Sequence, residues 1–156
     1  MKRHLFILCF LLGLVGTRAS AYDFKVDGIF YEKTGEQSVG VTYEKANYME
    51  DIYSTSTTGD VVIPSTVSYN GNTYNVTSIG DNAFESARIT SITIPNSVRS
   101  IGDFAFLGAY QLKEITLSEE ITYIPFAAFD GCSSLTSITI PKKVSKIQNY
   151  AFSGCN

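Results

Sequence analysis

Cys132 and Cys155 lie 23 residues apart, and so do the charged pairs Glu119-Glu120 and Lys142-Lys143. Two thiols can bridge, ligate a metal or act as a nucleophile, and opposed carboxylates and ammonium groups can pair or bind ions. Each of these chemistries needs partners. The one His, His4, sits in a leader that is expected to be removed, which leaves no imidazole for a Ser-His-Asp or Cys-His centre or for a His-ligated metal. Glu50-Asp51 are adjacent carboxylates in a loop-like stretch, with nothing to place an acid and a base across a cleft. There is no glycine-rich phosphate loop and no D-x-D-x-D-G calcium loop. Asn75-Val76-Thr77 matches a glycosylation triplet, a pattern common by chance. The residues therefore predict a non-catalytic chain with no cofactor and no metal.

The leader has three parts. Met1-Lys2-Arg3-His4 is basic, Leu5 to Gly16 is an apolar run of 12 residues, and Ala19-Ser20-Ala21 is a small-x-small cleavage site. This is the pattern of a secretory signal peptide, residues 1–21, cut after Ala21. The run is shorter than the ~20 residues that span a bilayer, so no transmembrane anchor is expected. Cys9 lies inside the apolar run, which argues against lipoprotein processing. The mature chain would be secreted or held at a cell surface. It has nine basic and 15 acidic residues, a net charge of −6. That acidity argues against nucleic-acid binding.

The elements that carry the 23-residue spacing are repeats. Ala-Phe recurs at Ala83-Phe84, Ala105-Phe106, Ala128-Phe129 and Ala151-Phe152, at intervals of 22, 23 and 23. Ile79, Ile101, Ile124 and Ile147 precede these pairs in phase. Strand-like segments recur at Ile89–Ile94, Leu112–Leu117 and Leu135–Ile140, and Val98, Ile121 and Val144 follow them. In I-x-I the two apolar side chains share one face and Thr takes the other, the period of a strand. One repeat has too little apolar surface for a core, but stacked copies bury a continuous column. Pro95 and Pro141 end two of the strands, and Ser118 stands in their place in the middle copy. The G-D-x-A-F stretch suits a tight turn or a short helical turn that packs Phe inward.

The frame L-x-x-I-x-I-P-x-x-V-x-x-I-G-x-x-A-F resembles the BspA-like branch of leucine-rich repeat proteins. Phe129 to Pro141, Phe-Asp-Gly-Cys-Ser-Ser-Leu-Thr-Ser-Ile-Thr-Ile-Pro, carries the resemblance most closely, and the repeat likeness spans about residues 76–156. The segments from Asp23 and from Val61 also resemble the N-terminal part of such proteins. The regular Asn of better-known leucine-rich repeats is missing, so no Asn ladder is expected. The resemblance implies association with surfaces of anaerobic mouth and gut bacteria. It further implies adhesion to host matrix proteins such as fibronectin and fibrinogen, and contact between cells.

The predicted fold is mainly β: a right-handed leucine-rich-repeat solenoid of about three repeats, with an N-terminal β-hairpin-rich cap. The cap covers residues 22–78 and the repeats 79–156, the last incomplete. Within the cap, Asp27-Gly28 and Asn70-Gly71 read as hairpin turns. Val39–Tyr43 and Val61–Pro64 read as strands, and Thr55–Gly59 as a polar loop. The chain stops at Phe152-Ser-Gly-Cys155-Asn156, where another strand would begin. Either it is a truncated fragment of a longer surface protein, the favoured reading, or it self-associates at that uncapped edge.

Stacking would bring Cys132 and Cys155 within bridging distance, but with parallel Cβ directions that favour a buried reduced ladder over a disulfide. Glu119-Glu120 and Lys142-Lys143 read as an ion pair on a solvated face. The outward strand positions form three columns: Thr90/Lys113/Thr136, Ser91/Glu114/Ser137 and Thr93/Thr116/Thr139. They make the candidate ligand-binding sheet face, with Lys113 and Glu114 its least generic members. The function so read is a protein-binding or adhesion module for extracellular matrix or other cells. The alternative is a carbohydrate-binding module, for which Tyr110 and Tyr123 are the repeat-region aromatics.

Overall fold

The computed structural model describes residues 22–43 and 57–156. Residues 1–21, which the sequence reads as a signal peptide, and Glu50-Asp51 and Thr55 lie outside the described residues. Two hairpins build the N-terminal part. Strands β1 (Phe24–Val26) and β2 (Ile29–Lys33) pair antiparallel with Val26 opposite Ile29. Asp27 and Gly28 between them have φ of 49° and 83°. Two successive left-handed residues make the turn whose twist matches that of paired strands, and Asp and Gly tolerate it best. Asn70 and Gly71, at 49° and 78°, do the same between β5 (Thr66–Tyr69) and β6 (Asn72–Ile79). Both hairpins therefore stand where the dipeptides predicted them.

Strand β3 (Ser38–Thr42) joins the two hairpins, antiparallel to β2 and parallel to β6. This sheet runs β1-β2-β3-β6-β5, and a two-residue strand, β8 (Ser100–Ile101), continues it from the C-terminal end of β6. Phe24 stacks on Tyr69 at 4.3 Å and on Tyr31 at 5.5 Å, tying the outer strands of the sheet together.

The repeats add a second, parallel sheet: β4 (Thr58–Val62), β7 (Arg88–Thr93) and β9 (Glu114–Thr116). Thr58 and Gly59, expected in a loop, are strand residues because β7 offers them partners in Arg88 and Ile89. The segment 135–140, expected as a third copy of β7, is not a strand. It has a neighbouring strand on one side only among the described residues, and its Ile138 and Ile140 are half-buried. A third pair, β10 (Tyr123–Ile124) and β11 (Lys146–Ile147), sets Ile124 beside Ile147, as β6 and β8 set Ile79 beside Ile101.

Opposite the sheet, the Ala-Phe segments are tight turns, and there is no helix among the described residues. Phe84, Phe106, Phe129 and Phe152 stack almost parallel, at 5.2, 5.1 and 5.4 Å. Alternate turn N–H groups donate to carbonyls of the following coil: Asn82 to Asp103, Phe84 to Ala105 and Ser86 to Leu107, at 3.1, 2.7 and 2.8 Å. The pattern repeats one and two coils on, for instance from Phe106 to Ala128 and from Phe129 to Ala151. To aim these groups along the stack, the residue before each Ala-Phe adopts a left-handed φ: 56° at Asn82, 59° at Phe104, 49° at Ala127 and 62° at Tyr150. The fold is thus the stacked repeat that the periodicity predicts: the turns bond coil to coil along the whole stack, and the parallel sheet joins β4, β7 and β9.

Candidate functional site

The outward faces of β4, β7 and β9 form one surface. The register places Asp60 beside Ser91 and Ser91 beside Glu114, and it places Val62 beside Thr93 and Thr93 beside Thr116. Apolar partners on the same strands point inward: Ile89, Ile92 and Val61 are buried. Lys113 lies just before β9 and is tied to the stack by its N–H, which donates to the Thr90 carbonyl at 2.9 Å. Thr136, Ser137 and Thr139 are exposed, but they sit on the segment that does not join the ladder. The three predicted columns are therefore continuous over two coils and continue as an exposed edge over the third.

Asp60 and Val62 are members of this face that sequence reasoning missed. Asp60 Oδ1 accepts hydrogen bonds from Thr90 Oγ1 and Ser91 Oγ, both at 2.7 Å. Those two hydroxyls hold its carboxyl below the usual range, since each bond favours the charged form. Val62 is 71% exposed. The signal was present in Val61-Val62-Ile63-Pro64, which carries the same Ile-Pro ending as the repeat strands.

Two further ladders run along the turns of the stack. Asp81 Oδ1 accepts the Asp103 N–H at 2.9 Å, and Asp103 Oδ1 accepts the Phe126 N–H at 3.1 Å. These carboxylates sew coil to coil, and Asn96 does the same, its Oδ1 accepting the Glu119 N–H at 2.9 Å. A Cβ at Gly102 would collide with the Asp81 backbone and carboxylate, so glycine is required there. The second ladder is aromatic: Phe104, Phe126 and Tyr150 meet edge to face at 5.3 and 5.6 Å. Its rings alternate between adjacent frame positions, which is why the repeat alignment did not reveal it.

The charged pair resolves into one bridge, Lys143 Nζ to both oxygens of Glu120 at 2.6 Å, on an exposed face. The hydrogen bond and charge of Lys143 lower the Glu120 pKa. Ser118, in the proline position, is fully buried; its hydroxyl donates to the Val98 carbonyl and accepts the Glu120 N–H. Cys132 and Cys155 are free thiols that donate in the same way to Phe106 and Phe129 carbonyls, each at 3.2 Å. Burial pushes the Cys132 pKa up to about 12, which removes the reactive thiolate at neutral pH. Among the described residues no cluster of three or more His, Cys, Asp and Glu could hold a metal ion. No helix long and apolar enough to cross a membrane is present among the described residues.

A parallel sheet backed by stacked turns at 22–23-residue intervals defines a leucine-rich repeat protein. The family described as BspA type leucine rich repeat region (6 copies) matches residues 61–156, and the chain belongs to it. The match begins at β4, ahead of the repeat start at 79 expected from the sequence. No curated protein matches the chain. A leucine-rich repeat protein from Bacteroides ovatus is 36% identical with a TM-score of 0.75, covering 86% of this chain and 33% of that one. One from Bacteroides capillosus is 33% identical with a TM-score of 0.71, covering 85% and 91%. A leucine rich cell surface protein from Faecalibacterium prausnitzii is 32% identical with a TM-score of 0.65, covering 83% and 30%. The chain therefore spans about a third of the length of two of these relatives and most of the third.

Proposed function

We propose that the chain is an exported, non-catalytic binding module that engages a protein ligand through the outward face of β4, β7, β9 and residues 135–140. The observation that supports this is the continuity of that face. Asp60, Ser91 and Glu114 lie in register across three strands, with Lys113 beside them and an apolar Val62 at the margin. A flat face of hydroxyls with a few charges suits modest, steered association rather than a tight aromatic-anchored interface. Extracellular matrix proteins and the surfaces of other cells are the ligands that the family likeness favours. The signal peptide, with cleavage after Ala21, delivers the module to the cell surface or the medium.

Carbohydrate binding is the weaker reading. Tyr110 and Tyr123 are 47% and 37% exposed, and the aromatic ladder is edge to face, with interplanar angles of 80° and 82°, rather than a coplanar platform. The two readings separate when the exported chain is screened against a panel of matrix proteins and a glycan array. Protein capture that drops on combining Lys113→Glu with Glu114→Lys supports the first. Glycan capture, or protein capture indifferent to both changes, sinks it.

A further inference from the structure

A cleft of about 620 Å³ opens between the β1–β2 turn and strands β4 and β5. One wall carries Asp27 and Ile29, the other Asp60 and Val62, and Val67 and Ser68 flank it. The walls are tied together, because Thr57 Oγ1, just before β4, donates to the Gly28 carbonyl at 3.3 Å. Two properties define what fits. First, β4 is the outermost strand of its sheet: it pairs with β7 on one edge, and no strand pairs with its other edge among the described residues. Strand edges offer unpaired N–H and C=O groups, which extended peptides use by adding as a further strand. Second, the lining is acidic. Asp27 and Asp60 are its charged residues, and no Lys, Arg or His lines it. Asp60 is held in place by its bonds from Thr90 and Ser91. The apolar side chains of the lining match the alternate residues of a strand, which project to one side.

We infer that this cleft binds an extended, cationic peptide segment of a partner protein, which adds to the free edge of β4 and sets its Lys or Arg side chains against Asp27 and Asp60. The inference rests on the proposed protein-binding role and deepens it, because Asp60 belongs to both the cleft and the sheet face. The cleft is the place where the partner enters, and the charge of the cleft selects which segment does so.

The test uses the full chain and a fluorescein-labelled, end-blocked octapeptide of alternating Lys and Val, followed by fluorescence anisotropy and by amide shifts in NMR spectra. The octapeptide is expected to bind, to shift the amides of residues 27–29 and 58–62, and to weaken as salt is raised. An alternating Glu and Val octapeptide should not bind. The double variant Asp27→Asn and Asp60→Asn should lose about fivefold or more in affinity. It should fold normally, because Asn suits the left-handed φ of residue 27 and keeps an acceptor for the Thr90 and Ser91 hydroxyls. No binding, equal binding by the double variant, or shifts confined to other surfaces would each overturn the inference. So would shifts of residues 27–29 and 58–62 produced by soluble glycans but not by the peptide. Lys143→Ala, at the Glu120 bridge and away from both the cleft and the sheet face, should leave octapeptide binding unchanged, and matrix-protein capture by the charge-swapped sheet face is scored on its own, so failure of that reading registers separately.

Discussion

The carboxylate of Asp103 accepts the backbone N–H of Phe126, one coil further along the stack, at 3.1 Å. Asp81 makes the same bond to the N–H of Asp103. A solenoid is only as stable as its nearest-neighbour interfaces, and these side chains satisfy amides at the turns where backbone pairing changes direction. Asp103→Ala should lower stability by about 1 kcal/mol, the usual worth of such a bond. Chemical denaturation would register this as a lower midpoint with an unchanged slope. Asp103→Asn, which keeps the acceptor, should recover most of the loss.

Ser86 occupies the position that Gly108, Gly131 and Gly154 fill in later coils. All four are left-handed, with φ of 54°, 66°, 73° and 68°. A side chain in that region costs energy that glycine avoids. Ser86→Gly should therefore stabilise the chain by about 0.5–1 kcal/mol, despite the greater freedom that glycine adds to the unfolded state. Gly131→Ala should destabilise by about 1 kcal/mol through strain alone, since a Cβ there meets nothing nearer than 3.5 Å. Opposite shifts of the thermal midpoint check both substitutions.

Phe106 is wholly buried between Phe84 and Phe129. Phe106→Ala removes a ring from the middle of the column and should cost about 3–5 kcal/mol. Phe152 stacks on one neighbour and is half-buried, so Phe152→Ala should cost clearly less. Equal costs, measured by denaturant titration, would contradict a continuous column.

Glu85 carries the main pH expectation. Burial raises its pKa above the usual 4.5, and its Oε2 is buried without a hydrogen-bond partner. Glu32 is raised too, by burial and by the charges of Asp23 and Asp81. A carboxyl whose folded pKa is raised binds more protons folded than unfolded. Its contribution is fully present below the unfolded value and is lost as pH rises through the folded one. Asp60 and Glu120 are lowered, so their contribution is lost only as pH falls below the ordinary carboxylate range. Stability should therefore be greatest in mildly acidic solution and decline toward neutrality. Glu85→Gln should flatten that decline, as thermal melts across pH 4 to 8 would record.

Much of the fold could be read from local rules. Asp27-Gly28 and Asn70-Gly71 force hairpins wherever they occur between strands, and Ile-x-Ile with an in-phase Ala-Phe can bury its apolar atoms only by stacking. Stacking then places Thr90, Ser91, Lys113 and Glu114 outward, whatever the rest of the chain does. The candidate site was less legible. Asp60 joins it through a strand separated from the regular repeats by the β5–β6 hairpin, so its phase is hidden in the sequence.

The sequence by itself determined the coil: its length, its inward and outward residues and the chemistry on its face, because these follow from short-range periodicity and side-chain polarity. Only the tertiary structure decided which coil residues bond to each other. Whether Asp103 caps an amide, Phe126 steps into an aromatic ladder or residues 135–140 form a strand depends on the backbone of the neighbouring coil. The cleft between the β1–β2 turn and β4 was settled in the same way, since its walls come from segments about 30 residues apart. No pattern within either segment encodes the distance between them.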